Sequence, residues 1–188
     1  MLASDAPSQL SIKWDDEFRE HGQRLFGFIM GYVRNPSTAE EVLQDVFVRA
    51  LRAQSTFKGQ SSPSTWLFSI ARNLCIDTIR RNKHRNHTSL ESETTSSATP
   101  LVESIGSESP SPEETVRFRL FTQELNSALA ELPAEQSEVF RLREFQHKSF
   151  DEIAQITDTQ VNTTKSRMRY ALKALRTRLS AHDPGETS

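Results

Sequence analysis

The chain has 188 residues, with 23 Lys and Arg against 25 Asp and Glu and a formal charge of −2. No run approaches the ~18 apolar residues of a transmembrane helix, and the opening MLASDAPSQLSIKWDDEF has neither the basic start nor the apolar stretch of a secretory signal. A single cysteine, Cys75, excludes an internal disulfide and a multi-cysteine zinc site. Sparse Gly and Trp together with this composition point to a mostly helical, cytoplasmic protein.

The first helix is expected over 14–34, where Phe18, Leu25, Phe26, Ile29, Met30 and Val33 recur near helical spacing until Asn35-Pro36 stops them. A second begins at an apparent capping box, Ser37-Thr38-Ala39-Glu40. It buries Val42, Leu43, Val46, Phe47, Ala50 and Leu51, leaving Glu41, Gln44, Asp45, Arg49 and Arg52 on a polar face. The loop STFKGQSSP follows. Ser62 and Pro63 then supply the N-cap and first residue of a third helix. Trp66, Leu67, Ile70, Ala71 and Leu74 form the core arc of that helix, with Thr65, Ser69, Arg72, Asn73, Ile76 and Arg80 opposite. Its end carries Arg80, Arg81, Lys83 and Arg85. The helix dipole favours cations there, but four exceed what the dipole accounts for.

Charge falls in blocks. Residues 61–87 carry five Lys and Arg against one acid, 88–114 carry six Glu and no base, and 161–180 carry six Lys and Arg and no acid. The acidic block also holds twelve Ser and Thr and three Pro, a composition too poor in large apolar groups to offset its ordering entropy, and reads as a flexible linker. The expected architecture is therefore all-α: two small helical domains, 1–87 and 115–188, joined by the linker 88–114.

In the second domain AEQSEVFRLREF forms a helix after Leu132-Pro133. Ser149 and Glu152 open a short helix, FDEIAQI, by a capping box, and the turn TDTQ leads into VNTTKSRMRYALKALRTRL. A short helix, tight turn and longer basic helix make a helix-turn-helix. At ~100° per residue, Val161, Met168, Leu172, Leu175 and Leu179 share one side of the last helix. Asn162, Lys165, Ser166, Arg169, Tyr170, Lys173 and Arg176 share another. Cations, an amide, a hydroxyl and a phenol together suit phosphates and major-groove base edges better than a merely solvated face does.

At these residues the chain resembles the extracytoplasmic-function, or group four, sigma factors of bacterial RNA polymerase. TAEEVLQDVFVRAL is similar to the family's polymerase-binding helix. STFKG…STWLFSIARNLCIDTIRRNKHR is similar to its promoter-melting segment, and LPAEQSEVFRLREFQHKSFDEIAQITDTQVNTTKSRMRYALKAL to its helix-turn-helix. The resemblance covers about 14–85 and 118–180. It implies that Glu41, Gln44, Asp45 and Arg49 dock on the clamp helices of the polymerase's largest subunit, and that the rear domain meets the flap of the second-largest subunit. It also implies that Lys58, Gly59, Ser61 and Asn73 belong to a pocket for a flipped base of the −10 element, with Arg80, Arg81, Lys83 and Arg85 on nearby phosphates. Asn162, Thr163, Lys165, Ser166, Arg167, Arg169, Tyr170 and Lys173 would read the −35 element. The linker would thread the polymerase cleft, and an anti-sigma factor would hold the protein inactive.

Five positions depart from the family pattern: Glu41 for a more frequent Asp, Thr157-Asp158 for Leu-Gly before the turn, Asn162 for Gly, and Thr164 for a core Val. No catalytic residue, metal site or cofactor is expected. His21, His84, His87, His147 and His182 lack metal-ligand spacing, and no phosphate loop or nucleophile motif occurs. The competing reading is a stand-alone helix-turn-helix regulator, which leaves the α-helical face at Glu41, Gln44 and Asp45 without a role.

Overall fold

The computed structural model describes residues 12–86 and 111–180; most of the expected linker, both chain ends and the side chain of Arg85 lie outside the described residues. Seven helices follow in chain order: α1 Trp14–Val33, α2 Pro36–Ala53, α3 Pro63–Asn86, α4 Pro112–Ala130, α5 Ala134–Phe140, α6 Phe150–Thr157 and α7 Val161–Ser180.

Helices α1, α2 and α3 pack as the front module around Leu25, Phe28, Ile29, Val46, Leu67, Phe68 and Leu74, all essentially inaccessible. The α1–α2 corner is tighter than the sequence suggests. Arg34 takes the left-handed conformation (φ 53°) and returns its N–H to the Met30 carbonyl. The expected capping box at Ser37–Glu40 is not what starts α2. Asn35 is the cap, its Oδ1 accepting from the Thr38 N–H at 3.0 Å, with Pro36 as the first helical residue. Proline has no N–H to orphan, so the helix begins two residues sooner than a Ser-based cap allows. Ser62 caps α3 as expected, accepting from the Thr65 N–H at 3.1 Å.

The rear module packs α4, α5 and α6 on α7 around Leu129, Val139, Leu142, Ile153, Met168 and Leu175. Helix α4 starts at Pro112, inside the stretch read as linker, because Ser111 and Glu114 form a reciprocal capping box. The helix expected from Ala134 to Phe145 changes character midway. Residues Arg141–Phe145 widen to a π-helical turn, in which the Gln146 N–H reaches the Arg141 carbonyl at 3.2 Å. His147 then turns left-handed at φ 53°. That wide turn aims Gln146 and Lys148, both buried, towards the front module.

The two modules touch. Helix α6 lies against α3, and the buried apolar residues of both form one continuous cluster. Across the contact, Lys148 Nζ donates to Ser64 Oγ at 2.7 Å and Thr65 Oγ1 donates to Glu152 Oε1 at 2.7 Å. Arg72 Nε donates to Glu138 Oε1 at 2.5 Å, the Tyr32 hydroxyl donates to the same oxygen, and Arg24 donates to the Gln146 carbonyl. Two residues assigned to the solvent-facing arc of α3, Thr65 and Arg72, are thereby covered. The covering carboxylates sit more than sixty residues away in sequence, which is why helical periodicity cannot reveal them.

Candidate nucleic-acid interface

The helix-turn-helix is built by local chemistry. Ser149 Oγ accepts from the Glu152 N–H and the Glu152 carboxylate accepts from the Ser149 N–H, so α6 starts with both orphan donors satisfied. It ends at Asp158, which adopts the left-handed conformation at φ 51°, ψ 52°, a position more comfortable for glycine. The Thr159 N–H closes the turn on the Ala154 carbonyl at 3.0 Å, and the Gln160 carbonyl takes the Thr163 and Thr164 N–H groups as α7 begins.

On α7, Thr164, Met168, Ala171 and Leu175 are buried. Thr164 is fully enclosed where the family favours Val, and its hydroxyl is satisfied by the Val161 carbonyl at 2.7 Å. Leu172, expected on the packed side, is 46% exposed; Ala171 takes its place, because the buried arc is centred a little further round the helix. On the opposite side Asn162, Lys165, Arg169, Tyr170 and Lys173 are exposed, with Thr163, Ser166 and Arg167 half-buried. Among the described residues no acid pairs with Lys165, Arg167, Arg169 or Lys173; only Arg178, at the far end, meets a carboxylate, Glu131 at 2.9 Å. The Arg169 guanidinium lies 5.2 Å from the Tyr170 ring centre, a cation–π contact that orders both side chains. Among the described residues, Lys165, Arg167, Arg169 and Lys173 thus form a cationic surface without carboxylate partners.

In the front module, Lys58 and Gly59 are exposed and Ser61 half-buried on the loop before α3. Gly59 has φ 67°, which only glycine adopts readily. The loop is pinned by Phe57, whose ring meets Trp14 edge-on at 5.7 Å and Trp66 at 5.2 Å; Trp66 thus packs rather than standing free as a stacking platform. Asn73 is exposed ten residues into α3, about 15 Å along the helix axis from Pro63. No hydrogen bond among the described residues joins Asn73 to the loop. Arg80, Arg81 and Lys83 are exposed further along the same helix. Asp77 stands 4.0 Å from Arg80 and Thr78 accepts from Arg81 at 3.2 Å.

The α2 face is also open: Glu41, Gln44, Asp45 and Arg49 are all exposed and none is in an ion pair among the described residues. Two apolar residues sit with them. Leu51, expected in the core, is 44% exposed, and Val48, which helical spacing does not single out, is 43% exposed. At ~100° per residue Val48 falls between Gln44 and Asp45. An apolar centre with a polar rim is what a protein-docking patch presents.

Cys75 is buried and its thiol is pushed up to about 12, mainly by desolvation. No group of three or more metal-ligating side chains occurs among the described residues.

Comparison with known proteins agrees with this geometry. The family described as sigma-70 region 2 matches residues 18–85 and that described as sigma-70 region 4 matches 122–175. The RNA polymerase sigma factor YlaC of Bacillus subtilis is 30% identical over 162 residues, spanning 85% of this chain and 89% of the relative. The ECF RNA polymerase sigma factor SigL of Mycobacterium tuberculosis is 31% identical over 160 residues, 85% of this chain and 84% of the relative. The chain belongs to the extracytoplasmic-function sigma factors of the sigma-70 family. The sigma factor RpoE from Bartonella quintana, solved in complex with the anti-sigma factor NepR, shares the fold with a TM-score of 0.69 at 23% identity, over 90% of this chain and 98% of that one. As a sigma factor, the chain carries region 2 in its front module and region 4 in its rear module.

Proposed function

We propose that the protein binds core RNA polymerase through the α2 face, reads the −35 element with α7 and captures a flipped base of the −10 element at the loop before α3. The observation that carries this reading is the coexistence of two cationic helix surfaces, that on α7 without carboxylate partners at Lys165, Arg167, Arg169 and Lys173 among the described residues, with a separate, partly apolar face on α2. A stand-alone regulator needs the first of these but has no use for the third.

Each assignment follows from the chemistry. On α7, Lys165, Arg167, Arg169 and Lys173 neutralise phosphates, while Asn162, Ser166 and Arg169 are suited to base edges and Thr163 and Tyr170 to the sugar-phosphate rim. In the front module, extruding a base costs a few kcal/mol of stacking, which contacts from the loop residues Lys58, Gly59 and Ser61 and from Asn73 on α3 offset only for a base that fits. Arg80, Arg81, Lys83 and Arg85 hold the displaced strand by charge. The division into a front domain, an acidic linker and a rear domain fits these roles, with the rear domain beginning at the Ser111 cap of α4 rather than at 115 and the linker suited to the polymerase's basic RNA channel. Bond-making belongs to the polymerase; the sigma factor contributes binding and strand separation.

An anti-sigma factor is a further expected partner, in line with the structure of RpoE from Bartonella quintana, which was solved in complex with the anti-sigma factor NepR. No helix among the described residues is long and apolar enough to cross a membrane, and we place the protein in the cytoplasm with the polymerase.

Run-off transcription with core polymerase tests the reading: promoter-dependent product is expected, and its absence with folded protein overturns it. Replacing Gln44 and Asp45 by Ala should reduce co-purification with polymerase while leaving duplex binding intact.

A further inference from the structure

We infer, resting on the proposed reading of −35 DNA by α7, that Asn162 selects an adenine within that element. Its side-chain oxygen accepts from the adenine N6 amino group and its nitrogen donates to N7, both on the major-groove edge.

The start of α7 leaves this amide free. The Gln160 carbonyl takes the Thr163 and Thr164 N–H groups at 2.9 and 3.1 Å, so Gln160 is the cap and Asn162 the second helical residue. Asparagine at a helix start commonly serves as the cap, its oxygen accepting an orphan N–H. Here that place is taken, and the Asn162 side chain makes no hydrogen bond among the described residues. It is exposed, while Val161 and Thr163 on either side are half-buried. Two donors and an acceptor are thus held on a fixed backbone with nothing in the protein to satisfy them.

Asn162 also stands in the middle of the cationic face. At ~100° per residue, Arg169 and Lys173 fall within about 20° of its line along the helix, and Ser166 and Lys165 within about 60° on opposite sides. A recognition helix meets base edges with its N-terminal residues, and Asn162 is at that end. Rising ~1.5 Å per residue, the helix carries Arg169 about 10.5 Å further along. Base pairs stack ~3.4 Å apart, so the two side chains do not share one pair. Lys165 and Lys173 supply affinity for any phosphate backbone; the uncharged amide adds the discrimination that they lack. Adenine sets an acceptor beside a donor on its major-groove edge, the pair that an amide matches. Guanine sets two acceptors there and turns O6 against the amide oxygen, while cytosine and thymine each offer one polar group. A wrong base therefore leaves a desolvated group unpaired, and that penalty is the source of selectivity.

Selection from a randomised DNA duplex pool by the full chain, as wild type and as Asn162→Ala, tests this. Wild type should enrich one A·T pair at which Asn162→Ala shows no preference, with the other selected positions kept. Circular dichroism checks that the variant folds. In fluorescence anisotropy, replacing that adenine should cost wild type about 5- to 150-fold in affinity and leave Asn162→Ala unchanged. Placing 7-deazaadenine there, which removes only the N7 acceptor, should weaken wild type and not the variant. Asn162→Asp keeps the shape but only accepts, so it should turn the preference from adenine to cytosine. Identical sequences selected by wild type and Asn162→Ala, or a wild type that binds 7-deazaadenine as well as adenine, overturn the adenine assignment alone. A wild-type pool with no enriched sequence overturns the reading of DNA by α7 itself.

Discussion

Replacing Lys165 and Arg169 together by Ala tests whether α7 is the DNA-reading helix. Both side chains are exposed, one turn apart, and neither has a carboxylate partner among the described residues, so the substitutions remove charge without disturbing packing. Removing one phosphate-neutralising cation lowers the salt slope of binding by ~0.9, so removing two lowers it by about 1.8. Between about 50 mM and about 200 mM salt the wild-type advantage should therefore shrink about twelvefold, because a slope difference of about 1.8 acts over a fourfold salt change. Fluorescence anisotropy of the full chain with a −35 duplex across that range measures it. The single variants separate the roles: each should lower the slope by ~0.9, and Arg169→Ala, whose guanidinium also meets base edges, should in addition cost ~1–3 kcal/mol and relax preference at one position, whereas Lys165→Ala should weaken all sequences alike. Parallel salt plots for wild type and the double variant would refute the assignment of this face.

Three further outcomes follow from the geometry. Asp158→Gly should stabilise the protein by about 0.5 kcal/mol in urea unfolding, since relief of the left-handed strain exceeds the unfolded-state entropy glycine adds, whereas Asp158→Val should destabilise it. Phe68→Ala should cost about 3–5 kcal/mol, because that ring is fully buried against Phe28 at 5.2 Å and leaves a cavity. Burial works to raise the Glu152 carboxyl, but the Ser149 N–H, the Thr65 hydroxyl and the Lys148 charge outweigh it and hold it down at about 2. A depressed folded-state value contributes stability above the unfolded value of ~4.3 and loses it as pH falls towards about 2. The stability difference between wild type and Glu152→Gln should accordingly shrink across that acid window, followed by circular dichroism.

Much of the site is legible in the chain because its causes are local. The α6 capping box, the left-handed Asp158 and the exposed row on α7 each depend on residues within a turn or two, and periodicity plus cap chemistry finds them. The start of α2 departs from expectation for a local reason too: Ser37 and Glu40 imitate a capping box, but Asn35 with Pro36 makes the better start. Leu51, Val48 and Leu172 cannot be placed from periodicity alone, since an apolar residue at the edge of an arc is buried or exposed according to what packs beside it.

The α-helical class, the two cationic helices and the acidic break between them are properties of spacing and charge, and the sequence alone determined them. Whether Thr65 and Arg72 face solvent or the rear module is not. Their partners, Glu152 and Glu138, come from distant helices across a long linker, and a desolvated hydrogen bond between such residues exists only once both modules have folded and met. That pairing is a tertiary decision, because burial and charge compensation depend on which surfaces come together and no local pattern encodes them.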